Sequence, residues 1–317
     1  MLADIALRNM EKDILIEKLR RVEKIASASK LRRMLIHPFK YMNAILFREV
    51  IYKRRKVEKE VSSKTFFNTK MNLLLPSSTD IYLTGGKSHD SEIRLAKFLI
   101  NNLEAADTFV DVGAHYGYFT LLGSKLIGNN GSVYSFEASP TTYKVLSRNS
   151  KNETNINCLN LAVSDEVASQ KFYEFPNLYS EYNTLEIDQF KNENWFSEYK
   201  PKEINIESII LDDFLLDKKI DPKIIKIDVE GAESKVIDGL KNHLSKNYPF
   251  IVMEYLSNER SNKEHQEAES KLNSLGYHSF VIDKLGNLKK LDSISKYLEE
   301  NEFESDNIVF AKKENAS

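Results

Sequence analysis

Thr108–Thr120, TFVDVGAHYGYFT, is the stretch on which the architecture turns. Thr108, Phe109, Val110 and Val112 have the composition of a buried strand, Gly113 breaks the run, and Tyr118 onward reads as a helix. Glycines at 113 and 117, flanking Ala114, His115 and Tyr116, put no side chain between this turn and anything the backbone approaches. The first N–H groups of the helix lack intrahelical partners and carry the positive end of its dipole, so a small, partly anionic cofactor suits the turn. A bare strand-to-helix turn of an α/β domain is the other reading of the same residues.

Gly131–Pro140, GSVYSFEASP, narrows the choice. After a helix over Leu121–Ile127 and a turn at Gly128-Asn129-Asn130-Gly131, a second apolar strand ends in Glu137, followed by Ala138. A carboxylate at the carboxyl end of the neighbouring strand, about twenty residues past the first turn, has the spacing that binds both hydroxyls of an adenosine ribose. Ser139-Pro140 then opens a helix to about Lys151, and Ile156–Ala162 reads as a third strand. In the following loop, Ser164 and Asp165 stand where an adenine amino group would be met, although a turn-forming Asp fits equally.

DVGAHYGYF, FEASP, NLAVSD and KIDVEGAE, in this order and at these intervals, resemble the FkbM family of S-adenosylmethionine-dependent methyltransferases, over roughly Thr65–Ala311. The wider class I methyltransferase pattern has an acid followed by three alternating glycines. Here the acid is Asp111 and the middle glycine is replaced by His115, which the GA-x-x-G variant of this family allows. The resemblance implies a class I, Rossmann-like α/β fold with a seven-stranded sheet, and methyl transfer, usually to oxygen. A nicotinamide-dependent oxidoreductase, the alternative enzyme, would want a third glycine.

Composition agrees with a folded enzyme. The 317 residues are 41% hydrophobic and 10% aromatic, enough for a substantial core. Cys158, the one cysteine, excludes an intrachain disulfide and cysteine-cluster metal sites, and its apolar surroundings make it a small core residue. No basic segment with an uninterrupted apolar core follows the first methionine, and no run is long enough to span a bilayer, so a cytoplasmic protein is expected.

The net charge of −2 conceals a division: residues 1–60 hold 16 Lys+Arg against 8 Asp+Glu, and residues 61–317 hold 29 against 39. The division predicts a basic helical extension over 1–62 and a catalytic domain over 63–317. Met10, Ile14, Leu15, Leu19, Val22 and Ile25 recur at helical spacing on one face. A second helix follows His37-Pro38, in which Tyr41, Met42, Ile45, Leu46 and Val50 are interleaved with cations. Two readings stand: a cap packing on the catalytic domain or on a second copy, and a peripheral contact of residues 30–60 with a membrane surface or anionic partner. The oligomeric state is open.

Three apolar pieces, Thr65–Phe67, Met71–Leu75 and Ile81–Leu83, read as strands or hairpins walling the pocket. Gly85-Gly86-Lys87 has no P-loop context and reads as a turn. Asp90 or Ser91 starts a helix to about Leu103, placing Glu92 in its first turn, as a helix acid or as a contact to the methionine amine of the cofactor.

The chemistry is expected at two further strand ends. Lys223–Asp228 ends in DVEGAE, and Phe250–Val252 runs into Met253-Glu254-Tyr255, so Glu254 emerges beside Asp228 on the ligand-binding edge. Asp228 and Glu254, with Glu230 or Glu233, can act as base toward a hydroxyl or as hard-metal ligands for Mg²⁺ or Ca²⁺. The base role is preferred because no Asn follows Glu254 to complete a metal shell. The segment Gln170–Leu211 interrupts the strand-helix alternation, and its Tyr179, Glu181, Tyr182 and Asn183 are residue types that stack on and hydrogen-bond a sugar. Aromatic packing within a surface hairpin is the equal alternative. No basic pattern there supports nucleic acid. The leading function is thus O-methylation of a hydroxyl on a sugar, glycan or glycosylated metabolite; a non-catalytic adaptor retaining the fold is the rival.

Overall fold

A computed structural model of the protein describes residues 2–260 and 262–312. Thirteen strands are formed: β1 Lys59–Lys64, β2 Lys70–Leu75, β3 Thr108–Val112, β4 Ser132–Phe136, β5 Ile156–Leu159, β6 Ala162–Ser164, β7 Ser169–Glu174, β8 Lys202–Ile210, β9 Ile224–Ile227, β10 Phe250–Leu256, β11 His278–Ile282, β12 Leu288–Lys290 and β13 Ser305–Ala311. Eight of them make the central sheet, in the order β12-β11-β13-β10-β9-β3-β4-β5. From β10 to β5 the pairing is parallel, and β13 enters antiparallel between β10 and β11. Seven strands were expected. The eighth, β12, folds back on β11 through the Asp283–Asn287 turn and extends the edge.

Both faces of the sheet are covered, which is why its parallel strands read as continuous apolar runs. Because side chains alternate across a strand, Phe109, Ile224, Val252 and Val309 join one buried cluster, and Val110, Ile225, Ile251 and Ile308 join the other. The first cluster includes Leu19 and Val22 of the helix Leu2–Ala26, together with Phe47 and Tyr52. At about 1.5–3 kcal/mol per fully buried side chain, this holds the extension on the domain. Lys97 Nζ reaches Glu23 Oε2 at 2.9 Å, adding a partly buried charged contact from the helix Asp90–Asn102. Residue 62, where the sequence suggested a boundary, lies within β1, whose six residues all pair with β2.

Two local expectations are corrected. Ile81–Leu83 lies in a helix, Thr79–Thr84, ended by Gly85 in the left-handed region, and Thr65–Phe67 is the turn joining β1 to β2. Three apolar residues in a row carry no period, so helix and strand are indistinguishable there. The expected third strand, Ile156–Ala162, splits at Asn160, whose Nδ2 donates to the carbonyls of Glu137 and Ala138 at 2.8 and 3.0 Å. That anchor turns the chain away, so β6 leaves the central sheet and pairs with β8.

Candidate functional site

The carboxyl ends of β3, β4, β9 and β10 open into one cavity of about 650 Å³. Gly113, His115, Glu137, Ala138, Asp228, Glu230, Glu254 and Glu92 all line it, as do Glu181, Tyr182 and Asn183 from the segment that interrupts the fold. Residues as far apart in the chain as Gly113 and Glu254 therefore meet because parallel strands present their carboxyl ends along one edge.

The turn after β3 is built on positive φ at Gly113 (77°), His115 (48°) and Gly117 (87°). A Cβ at residue 113 would lie 1.8 Å from the Asp228 carbonyl oxygen, so only glycine lets β3 and β9 end side by side. The N–H groups of Gly113 and Ala114 both donate to Phe136 O, and that of His115 donates to Glu137 Oε2 at 2.8 Å. The first two amides tie the turn to β4, and the third aims the carboxylate. Glu137 Oε1 also accepts from Ser139 N at 3.0 Å, which fixes the second oxygen and leaves lone pairs on both for a diol. Burial pushes Glu137 up to about 7, against the lowering effect of those two N–H groups.

Not every predicted residue faces the cavity. Asp111 is buried beneath it, accepting from Thr120 Oγ1 at 2.7 Å with Lys226 Nζ 3.6 Å away. Ala114 and Tyr116 line only a small adjoining recess, and Gly117 supplies the turn. Ser164 is buried in β6 with its hydroxyl on Asp165 Oδ1, and neither lines the cavity; Leu161, Ala162 and Val163, just upstream, do so with Phe172. The kink at Asn160 produces this shift. Tyr179 stacks on Trp195 at 4.1 Å and 11°, and Trp195 stacks on Tyr182, so most of the aromatic set packs on itself and only Tyr182 reaches the cavity.

Asp228, Glu230 and Glu254 bring carboxylate oxygens within 4.8 Å of one another. Lys226, buried in β9, places Nζ 3.0 Å from Asp228 Oδ2; burial works to lower its ammonium, but Asp228 and Asp111 outweigh it and hold the group above the ordinary range. Burial, then Asp228, pushes Glu254 up to about 7; burial, then Glu254 and Asp228, pushes Glu230 well above its usual value. Glu230 is further set by its own backbone: φ is 56°, and its carbonyl accepts from Thr184 Oγ1 at 2.6 Å and from Gln189 Nε2. His115, lowered to about 4 by burial, is a neutral imidazole with Nε2 3.0 Å from Ser180 Oγ.

Lys226 and Lys87 were not singled out from the sequence. A lone charge inside the apolar run Ile224–Ile227 was the available sign for the first. The second follows two glycines in what read as a turn, yet its Nζ lies 2.9 Å from Glu92 and 2.6 Å from Glu181, joining two cavity walls.

The residues fit an adenosine-bearing cation. Gly113 brings bare backbone to the cavity wall, Glu137 is aimed from backbone amides, Ala138, Leu161, Ala162 and Phe172 form an apolar wall for a flat base, and Glu92 and Asp228 supply negative charge. Substituting Glu137→Ala is expected to weaken S-adenosylhomocysteine binding by about 1–3 kcal/mol, the scale of lost charge-assisted hydrogen bonds. Isothermal titration of the two proteins checks this; equal affinities would remove the ribose role.

Residues 111–279 match the family described as Methyltransferase FkbM domain. Comparison with curated proteins finds no match. Among solved structures, the chain is similar to the methyltransferase FkbM from Methylobacillus flagellatus KT, with 15% identity, 74% of this chain and 52% of that chain covered, and a TM-score of 0.41. It is also similar to an O-methyltransferase from Bacillus cereus in complex with S-adenosylhomocysteine (13% identity, 68% and 79% covered, TM-score 0.39). A third is an S-adenosylmethionine-dependent O-methyltransferase from Thermotoga maritima (12%, 80% and 77%, TM-score 0.37).

Proposed function

This chain belongs to the FkbM methyltransferase family, and from that premise we propose that it methylates a hydroxyl on a sugar, glycan or glycosylated metabolite, with Glu254 as the base. The observation that carries the reading is the placement of an anchored Glu137 and a titratable Glu254 in one cavity, at strand ends separated by those of β3 and β9. S-adenosylmethionine, when bound, supplies a methyl group on a sulfonium, which leaves as the neutral thioether when the acceptor oxygen forms its new carbon–oxygen bond.

Gly113 and Glu137 bind and orient the nucleoside. Lys226 pins Asp228 as one wall. Burial, with Glu254 and Asp228 beside it, shifts Glu230 toward its protonated form, which can donate a hydrogen bond, whereas Glu254 exchanges its proton near neutral pH and takes the one the hydroxyl gives up. Tyr182, Glu181 and Asn183, on the segment above, are the polar and aromatic groups available to a sugar ring.

Calorimetry with S-adenosylhomocysteine and with NAD tests the premise. Heat with the first, a raised melting temperature and no response to the second are expected, since a ligand that binds only the folded state stabilises it by mass action. No heat at millimolar S-adenosylhomocysteine would remove the methyltransferase reading. Transfer of a tritiated methyl group to fractionated extracts, followed by glycosidase treatment of the labelled product, tests the acceptor class.

A further inference from the structure

The helices over residues 30–55 leave an apolar stripe unpartnered. In Pro38–Leu46 and the π-helical turn Phe47–Tyr52, the side of Ala44, Phe47 and Tyr52 is buried against the domain. Phe39, Met42, Leu46 and Val50, spaced three, four and four apart, lie together on another side and are exposed, Phe39 by 89%. The preceding helix, Lys30–Ile36, exposes Leu31 by 64% and Leu35 by 70%, one turn apart. Side chains of this size exposed in series mark a contact surface.

Charge says what the surface meets. Residues 27–57 contain nine Lys and Arg and one acid, Glu49, which is engaged with Arg48 and Lys53. Among the described residues, no carboxylate pairs with Lys30, Arg32, Arg54 or Arg55. Apolar side chains amid unneutralised cations on helices lying along the molecule are what an anionic bilayer holds: the apolar groups enter the acyl boundary and the cations stay among the headgroups. A second copy of this chain fits less well, because a twofold contact sets the same cationic segments against each other.

We propose that this face docks the protein on an anionic lipid surface. The docking face is joined to the segment that carries the cavity residues Glu181 and Tyr182: Tyr52 Oη accepts from Leu178 N at 3.1 Å, and Lys56 pairs with Glu198 while its ammonium sits 3.6 Å above the Tyr199 ring.

The test is co-sedimentation of the full chain with vesicles of phosphatidylcholine alone and of phosphatidylcholine mixed with phosphatidylglycerol. Binding to the mixed vesicles only is expected, falling roughly tenfold or more between about 0.1 and 1 M salt, over which the Debye length shrinks from about 10 to 3 Å. Leu35→Asp with Phe39→Asp, and separately Arg54→Glu with Arg55→Glu, should each lower the bound fraction by about tenfold at unchanged melting temperature, since these side chains stand in solvent. No sedimentation, equal binding to both vesicles or insensitivity to salt overturns the proposal. So does a dimer in solution that the Leu35→Asp, Phe39→Asp protein no longer forms.

Discussion

Gly113→Ala is expected to abolish stable folding and S-adenosylhomocysteine binding together. The added Cβ would stand 1.8 Å from the carbonyl oxygen of Asp228 and 2.8 Å from its carbonyl carbon, in a backbone conformation (φ 77°) that L side chains avoid. Neither obstacle is a side chain that can swing away. Asp228 N donates to Val112 O at 3.0 Å, so the methyl group can be admitted only by parting β3 from β9 where both open into the cavity. A cost of at least about 4 kcal/mol follows, against a stability of about 5–15 kcal/mol for an ordinary domain. Two glycines in the same φ region calibrate the effect. At Gly117 the one close obstacle to the new Cβ is Leu146 Cδ1, a side-chain end, at 2.6 Å, and at Gly128 it meets nothing within 4 Å. Denaturant unfolding should therefore place the Gly113→Ala protein well below the 117 and 128 variants, the last losing about 1–3 kcal/mol from backbone conformation alone. A Gly113→Ala protein as stable as the Gly128→Ala one would mean that the strand ends are not packed as described.

The three glycines look alike in the sequence. What separates them is the neighbour each would strike, and for Gly113 that neighbour is 115 residues away along the chain. The same distinction explains what was legible. The order of strand, glycine turn, helix, strand and acid sets the parallel sheet and places Glu137, Asp228 and Glu254 on one edge, because parallel strands put the ends of successive apolar runs side by side. Contacts that depend on a single side chain redirecting the main chain were not legible. Asn160 bends β5 away from β6 and so moves the cavity wall from Ser164 and Asp165 back to Leu161 and Ala162. Nor did Tyr179 and Trp195 announce that they stack on each other, since the composition of a sugar platform and of an aromatic cluster is the same.

Glu254→Gln is expected to lower turnover by about 10²-fold or more while leaving S-adenosylhomocysteine affinity nearly unchanged, because the ribose carboxylate is a different residue at the end of a different strand. The pH profile makes this specific. Burial and Asp228 raise the Glu254 carboxyl to about 7, so below that pH it carries the proton it must be free to accept. Turnover of the native protein should rise about tenfold per pH unit up to about 7 and then level. Glu254→Gln should lose that limb, and Glu230→Gln should keep it, because the Glu254 carboxyl that titrates there is retained. Asp228→Asn leaves Lys226 with Asp111 alone, at 3.6 Å, and should cost activity by disturbing the wall rather than by removing the limb. The three carboxylates, with oxygens within 4.8 Å, also form a donor set suited to a hard divalent cation. Turnover that vanishes with a chelator and returns with Mg²⁺ would make Glu254 a ligand whose cation lowers the pKa of the acceptor hydroxyl, in place of a base. Full activity in both Glu254→Gln and Asp228→Asn, with the chelator harmless, would move the chemistry across the cavity to His115 or to the wall of Glu181 and Tyr182, which face the same space.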